Sequence, residues 1–277
     1  MMREKVDYMH IILRGGLLAM VCALLSVVWV NDPMLPAGEL SGQWLYLAKV
    51  AMGAAVGWVV SAFLYYRKGY DMGADFYQEG QKACSWMEQY AERNKKKTLN
   101  IVHIMGTEGA TAQIGRTKAL EEAAKKNGWN ILEQQTGAFT QAKSHEVMEE
   151  YLKKYKDIDM VYCENDSEAL GAINAIEQAG KKVGTDGIQI ISFDATREGL
   201  AEVQNGKIAV DVECNPDFGK KIEKIIKQLE YKRDVNKEYY IGDKIYTQNK
   251  SISTIEIEKA KWSVTVVTDK IVKERVY

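Results

Sequence analysis

Three short apolar runs, at residues 101–105, 159–163 and 188–193, constrain this chain most. Each breaks off into polar or glycine-rich residues: Gly106-Thr107-Glu108-Gly109, Glu164-Asn165-Asp166 and Asp194-Ala195-Thr196. Amphipathic helical stretches separate them. A strand buried on both faces reads as a continuous apolar run, and parallel strands joined by helices end at the same edge of their sheet. The polar tips are therefore expected to converge on one crevice that collects Arg116, Asn165 and Asp194. A guanidinium, an amide and a carboxylate fixed on rigid strand ends suit hydrogen bonding to a small polyhydroxylated ligand.

The same alternation continues on both sides of these runs. Apolar spacing predicts helices over 75–94, 111–127, 140–154, 167–179, 198–205 and 216–231. Strands are expected over 100–105, 130–135, 159–163, 189–193 and 209–213, followed by a tail of short strands. Gly128 and Gly180 stand where helix C-caps belong. This pattern specifies an α/β fold, one Rossmann-like lobe with a mostly parallel sheet.

Before residue 70 the organisation differs. Residues 15–30 carry no charge, and within 44–66 only Lys49 interrupts an apolar stretch, both near the roughly 20 residues that cross a bilayer. Trp44, Tyr46, Tyr65 and Tyr66 flank the second run as an aromatic belt would, and Gly53 and Gly57 are spaced for close helix contact. Two membrane helices, about 11–30 and 44–66, are expected within an N-terminal region 1–69, ahead of an α/β lobe over 70–277. The alternative is a signal peptide followed by a buried helix, but the first run lacks a small-x-small cleavage site. Arg3, Lys5 and Arg14 before the first run and Arg67 and Lys68 after the second place both flanks in the cytoplasm by charge bias.

Composition narrows the function classes. A formal net charge of −1 offers no polyanion-binding surface, which argues against a nucleic-acid partner. The four cysteines, Cys22, Cys84, Cys163 and Cys214, form no C-x-x-C pair, and three scattered histidines make neither a metal site nor a triad. No cofactor is expected. The loop 106–115 precedes a helix but matches neither the dinucleotide fingerprint nor the Walker A spacing, so it reads as a structural turn. Arg116, placed in the first turn of that helix, opposes the helix dipole unless something else uses its charge. A ligand oxygen is one such use, and a salt bridge to Glu164 or Asp194 is the other. Asn165-Asp166 can cap the next helix, with Asp166 or Ser167 the favoured cap from the helical residues that follow. Glu164 and Asp194 as an acid–base pair would need a lid that the sequence does not provide.

The segments DFYQEG (75–80), MGTEGAT (105–111), GAFT (137–140), VYCEND (161–166), GAI (171–173), SFD (192–194) and NGK (205–207) occur in one order. Together they resemble the periplasmic sugar-binding proteins of ABC importers, and among these the galactofuranose-binding branch of the ribose-binding type. The resemblance implies two Rossmann-like lobes that clamp a sugar between them. It also implies that one lobe contributes an Arg after the G-T-x-G-A loop, the Asn of the N-D strand end and the Asp of S-x-D, here Arg116, Asn165 and Asp194. The family begins with a first lobe of roughly a hundred residues, and here the two apolar segments stand in its stretch. The helix at 216–231 would then lose a packing partner for Phe218, Ile222, Ile225, Ile226 and Leu229.

The leading expectation is a non-catalytic monosaccharide-binding protein, the solute-binding component of an ABC sugar importer or a truncated relative. Its partners would be a sugar, importer membrane subunits and, through residues 11–66, a membrane. The resemblance puts the lobe outside the cytoplasm, against the charge bias. The alternatives are a membrane-tethered sensory or regulatory protein that uses the lobe for protein contact, and a nucleotide-binding enzyme that would need phosphate affinity at 106–115.

Overall fold

The computed structural model describes residues 71–231, 235–236 and 238–277. The two apolar segments expected to cross a membrane lie outside the described residues. Among the described residues no helix is long and apolar enough to cross one. Residues 72–235 and 239–277 form one compact unit that holds the whole central sheet.

The elements run β1 (Asp71–Gly73), α1 (Phe76–Arg93), β2 (Asn100–Met105), α2 (Thr111–Asn127), β3 (Asn130–Thr136), α3 (Gln141–Lys154), β4 (Met160–Cys163), α4 (Asp166–Gln178), β5 (Gln189–Asp194), α5 (Arg197–Gln204) and β6 (Ile208–Glu213). After them come α6 (Gly219–Glu230), β7 (Glu238–Tyr240), β8 (Ile245–Thr247), β9 (Thr254–Ile257), β10 (Ala260–Val266) and α7 (Asp269–Glu274). The central sheet has the order β3-β2-β4-β5-β6-β8-β10-β9. Its first five strands are all parallel.

Side chains alternate across this sheet with the strand period of two. Ile101, Met160, Tyr162, Ile191 and Phe193 face the layer containing Trp86, Met87 and Leu120 of α1 and α2. Val102, Ile104, Val161, Cys163 and Ile190 face the layer of Val147, Met148, Ile173, Ile176 and Leu200 from α3, α4 and α5. Burial on both faces is why these strands read as unbroken apolar runs.

The tail, for which the sequence offered no role, extends the sheet. β8 pairs antiparallel with β6, and β10 pairs parallel with β8. β9 and β10 form a hairpin whose two-residue turn, Glu258-Lys259, has φ of 48° and 70°. Two positive φ values in a two-residue loop match the twist of flanking strands. Ile252, Ile255 and Val264 close the α1 side of the core. Lys82 of α1, fully buried, lies 4.3 Å from the Trp262 ring centroid and donates to the Asp243 carbonyl at 3.1 Å.

Several expected boundaries shift for local reasons. The helix expected over 216–231 spans only Gly219–Glu230. Asn165, with φ −158°, caps α4 by accepting the Glu168 N–H at 2.9 Å, in place of Asp166 or Ser167. Asp166 cannot serve, because Ser192 and Thr196 take up its carboxyl. Arg116 is the sixth residue of α2 and stands in the second turn, not the first.

Candidate functional site

The site begins with two glycines. A Cβ on Gly80 would lie 2.6 Å from Ala119 Cβ, and one on Gly115 would lie 2.8 Å from both Phe76 Cβ and the Tyr77 nitrogen. Their absence lets α1 and α2 approach closely, and this approach brings Glu79 onto Arg116. The Arg116 Nε donates to Glu79 Oε2 at 2.9 Å and Nη2 reaches the same oxygen at 2.7 Å. Nη2 also contacts Asp194 Oδ1 at 3.2 Å, and Nη1 donates to the Glu164 carbonyl. The guanidinium lies 4.6 Å from the Phe193 ring centroid, a distance at which a cation is attracted to the ring face.

Electrostatics explain why these groups stay together. Arg116 is only 2% exposed. Burial works against its charge, but Glu79 and Asp194 outweigh burial and raise its pKa. Burial pushes Glu79 up to about 7 against the pull of Arg116. Asp194 is raised by burial and drawn down by Arg116. Its side chain keeps 32% exposure, so it is the charged group of this cluster that reaches the rim.

The backbone presents Asp194 in an unusual way. Asp194 and Ala195 have φ of 98° and 52°, and left-handed geometry costs a non-glycine residue on the order of 1–2 kcal/mol. Ala138 and Phe139 form a similar turn at 53° and 58°. Strained non-glycine turns persist only where surrounding contacts hold them, and they cluster at functional sites. Phe139 is held by its N–H to Glu168 Oε1 at 2.9 Å, and its ring covers the position a Gly106 Cβ would fill. Asn165 Nδ2 makes one long contact, 3.4 Å, to the Phe139 carbonyl. With its oxygen committed to the cap, the donor side of the amide keeps capacity for a ligand.

A second buried network fixes the loop after β2. Glu164 accepts the Gly106 N–H at 2.8 Å and the Thr117 hydroxyl at 2.6 Å, with His103 Nε2 at 3.1 Å. Glu168, pushed by burial up to about 8, also accepts the Glu164 N–H at 2.9 Å. Glu164 is fully buried, so it braces the loop and is not presented with Asp194 as an acid–base pair. Gly106, Gly109 and Ala110 already donate to Glu164, Gln113 and Thr107. The loop is accordingly a structural turn, with those amides committed inside the protein.

The three residues singled out from strand-end geometry thus share one edge. Arg116 joins the tip of β4, through the Glu164 carbonyl beside Asn165, to the tip of β5 at Asp194. Glu79 and Phe139 are not among the expected site residues, although the segments DFYQEG and GAFT contain them. Glu79 left one signal: it precedes Ala83, Trp86 and Met87 by four, seven and eight residues, and so stands on the apolar stripe of α1.

A family model described as the periplasmic binding protein domain matches residues 66–254. The chain belongs to that family. Among similar periplasmic binding proteins is the galactofuranose-binding protein YtfQ of Escherichia coli, 37% identical over 150 residues, which are 52% of this chain and 46% of that one. The ribose import binding protein of Salmonella typhimurium is 28% identical over 128 residues, 46% of this chain and 42% of the relative. A Mycobacterium smegmatis structure in complex with β-D-fucofuranose matches with a TM-score of 0.59 and 37% identity, covering 65% of this chain and 59% of that one. The binding protein of a Shewanella arabinose ABC transporter, bound to α- and β-L-arabinofuranose, matches with a TM-score of 0.59 and 32% identity over 65% and 59% of the two chains. The chain spans about half the length of the curated relatives it matches.

Proposed function

We propose that this periplasmic binding protein domain binds a monosaccharide, without catalysis, at the edge formed by the tips of β4 and β5. The observation that carries the reading is Asp194, held in a left-handed conformation and braced by Arg116 while its carboxylate stays partly exposed. Asp194 would accept from sugar hydroxyls, Asn165 would donate from its amide, and Arg116 would hold the carboxylate in place. Hydrogen bonds to Glu79, the Glu164 carbonyl and Asp194 occupy three of the five donors of the Arg116 guanidinium, leaving donor capacity for a ring or hydroxyl oxygen. Relatives whose names specify galactofuranose and whose structures hold fucofuranose or arabinofuranose support a five-membered-ring sugar.

In this reading the chain serves as the solute-binding component of an ABC sugar importer, or as a truncated relative, with its lobe outside the cytoplasm and residues 11–66 tethering it to the membrane. The family match starting at residue 66 supports a boundary near 70. Reporter fusions at Gly69 and Tyr277 test the placement. Extracytoplasmic signals at both support uptake, and cytoplasmic signals refute it. A second reading, a lobe that contacts another protein in sensing, is favoured by the exposure of Ile222, Ile226 and Leu229 on α6.

Titration calorimetry with L-arabinose, D-galactose, D-fucose and D-ribose tests the binding reading. Asn165→Ala and Asp194→Ala are each expected to weaken affinity by about 1–3 kcal/mol, because a sugar hydroxyl loses its partner on burial. Unchanged affinity in both variants removes them from the site.

A further inference from the structure

Below this edge, on the sheet face covered by α4 and α5, two carboxyl side chains meet away from solvent. Asp166 and Asp211 are 2% and 0% exposed. Asp166 accepts from the Ser192 hydroxyl at 2.5 Å and from the Thr196 N–H and hydroxyl, both at 2.7 Å. Asp211, on β6, accepts the Ala195 N–H at 3.1 Å, one residue from the Thr196 that Asp166 holds, so the two buried carboxyls grip adjacent residues and act on each other electrostatically. Its other oxygen, Oδ2, is buried and has no donor among the described residues.

Two ionised carboxylates placed side by side inside a protein repel, and neither has a donor to offer the other. One proton between them turns the repulsion into a hydrogen bond. The acids then grip the two residues that follow Asp194, Asp211 through Ala195 and Asp166 through Thr196. Gly199 leaves room for this arrangement, since a Cβ there would lie 2.2 Å from Asp166 Oδ2.

We propose that Asp166 and Asp211 are positioning residues that share one proton and thereby hold the Asp194–Ala195 turn, and with it the Asp194 carboxylate, at the binding edge. Only the last step rests on the sugar-binding reading. The charged and titratable groups around the pair favour the shared proton. Asp194, at the end of β5, adds negative charge, and its partner Arg116 is committed to it and to Glu79. Tyr246 of β8 stands opposite Asp211 in register, and its hydroxyl accepts from Arg275, which also pairs with Glu213. No basic side chain among the described residues forms an ion pair with either acid. Burial raises Asp166 to about 6 and Asp211 well above the ordinary carboxylate range, and each acid is raised further by the negative charge beside it.

Asp211→Asn tests this, because its amide donates to Asp166 permanently while its oxygen still accepts from Ala195. The unfolding constants of the full-length wild type and of Asp211→Asn are compared between about pH 5 and pH 7. The folded wild type retains a proton that the unfolded chain has lost, so its unfolding constant is expected to rise relative to the variant by up to about tenfold per pH unit. A ratio that does not change with pH overturns the proposal. Sugar affinity supplies the second readout, with L-arabinose as probe. Asp211→Asn is expected to bind within twofold of wild type and Asp211→Ala at least tenfold more weakly, whereas equal loss in both variants refutes positioning by a shared proton. If the wild type binds none of the four sugars, the sugar-binding reading fails, and the pH-dependent ratio still decides whether the proton is shared.

Discussion

The edge at the tips of β4 and β5 and the helix α6 place charge and apolar surface in opposite settings. At the edge, Glu79, Arg116, Glu164, Asp166 and Glu168 are all nearly inaccessible, and α1, α2, β4, α4 and β5 each supply part of their bonding. Along α6, Ile222, Ile226 and Leu229 form one stripe and are 43%, 50% and 38% exposed, while Ile225 beside them is buried. A buried ionisable group is tolerated only where several elements meet to satisfy it, so it marks positions the fold must hold in place. An exposed apolar stripe places no such demand on its own domain.

The largest expected effect comes from removing the centre of the charged edge. Arg116→Ala strands the Glu79 and Asp194 carboxylates, and breaking a buried pair from one side costs about 3–5 kcal/mol. Denaturant unfolding reads this directly. A loss below about 1 kcal/mol would show that the cluster does not organise the edge.

A smaller, pH-dependent effect follows from Glu79 and Glu168, which burial raises to about 7 and about 8. Both hold protons in the folded chain that the unfolded chain releases at lower pH. Stability is therefore expected to fall as pH rises from the ordinary glutamate range to about 8, by at most about 1.4 kcal/mol per pH unit for each group, and these groups add nothing further above it. Glu168→Gln should flatten the upper part of that slope. An unchanged profile would remove Glu168 as its source.

Losing the cap at Asn165 is expected to cost about 1 kcal/mol of stability in Asn165→Ala, readable in the same unfolding experiment. At the bottom of the scale, Ile222→Lys and Ile226→Lys on α6 should change stability by less than about 0.5 kcal/mol. A cost above 1.5 kcal/mol in either would mean that this stripe is covered, and the contrast with the edge would no longer hold.

The strands were legible because burial on both faces leaves an unbroken apolar record, as in Ile101–Val102 and Ile190–Ile191. Asp75, Thr140 and Thr196 cap their helices through local oxygen-to-amide spacing, although apolar spacing alone sets Asp75 and Thr140 inside their helices and names no cap for α5. Asn165 ranks below Asp166 and Ser167 as the expected cap because three adjacent polar residues fit that spacing. What decides among them is the capture of Asp166 by Ser192 and Thr196, about thirty residues away. Arg116 was placed a turn too early although α2 begins at Thr111 as expected; as the sixth helical residue it stands past the first 3.6-residue turn. The tail was opaque for a related reason: a parallel partnership between β8 and β10 depends on where each strand meets the sheet, and neither strand's own residues record it.

The central claim is tested most directly by following the backbone amide resonances of the full-length protein during titration with L-arabinose and D-galactose. Saturable shifts concentrated at Gly106–Ala110, Phe139, Asn165 and Asp194–Thr196, and lost in Asp194→Ala, are the predicted result. Shifts centred elsewhere, or an identical response in Asp194→Ala, would contradict it.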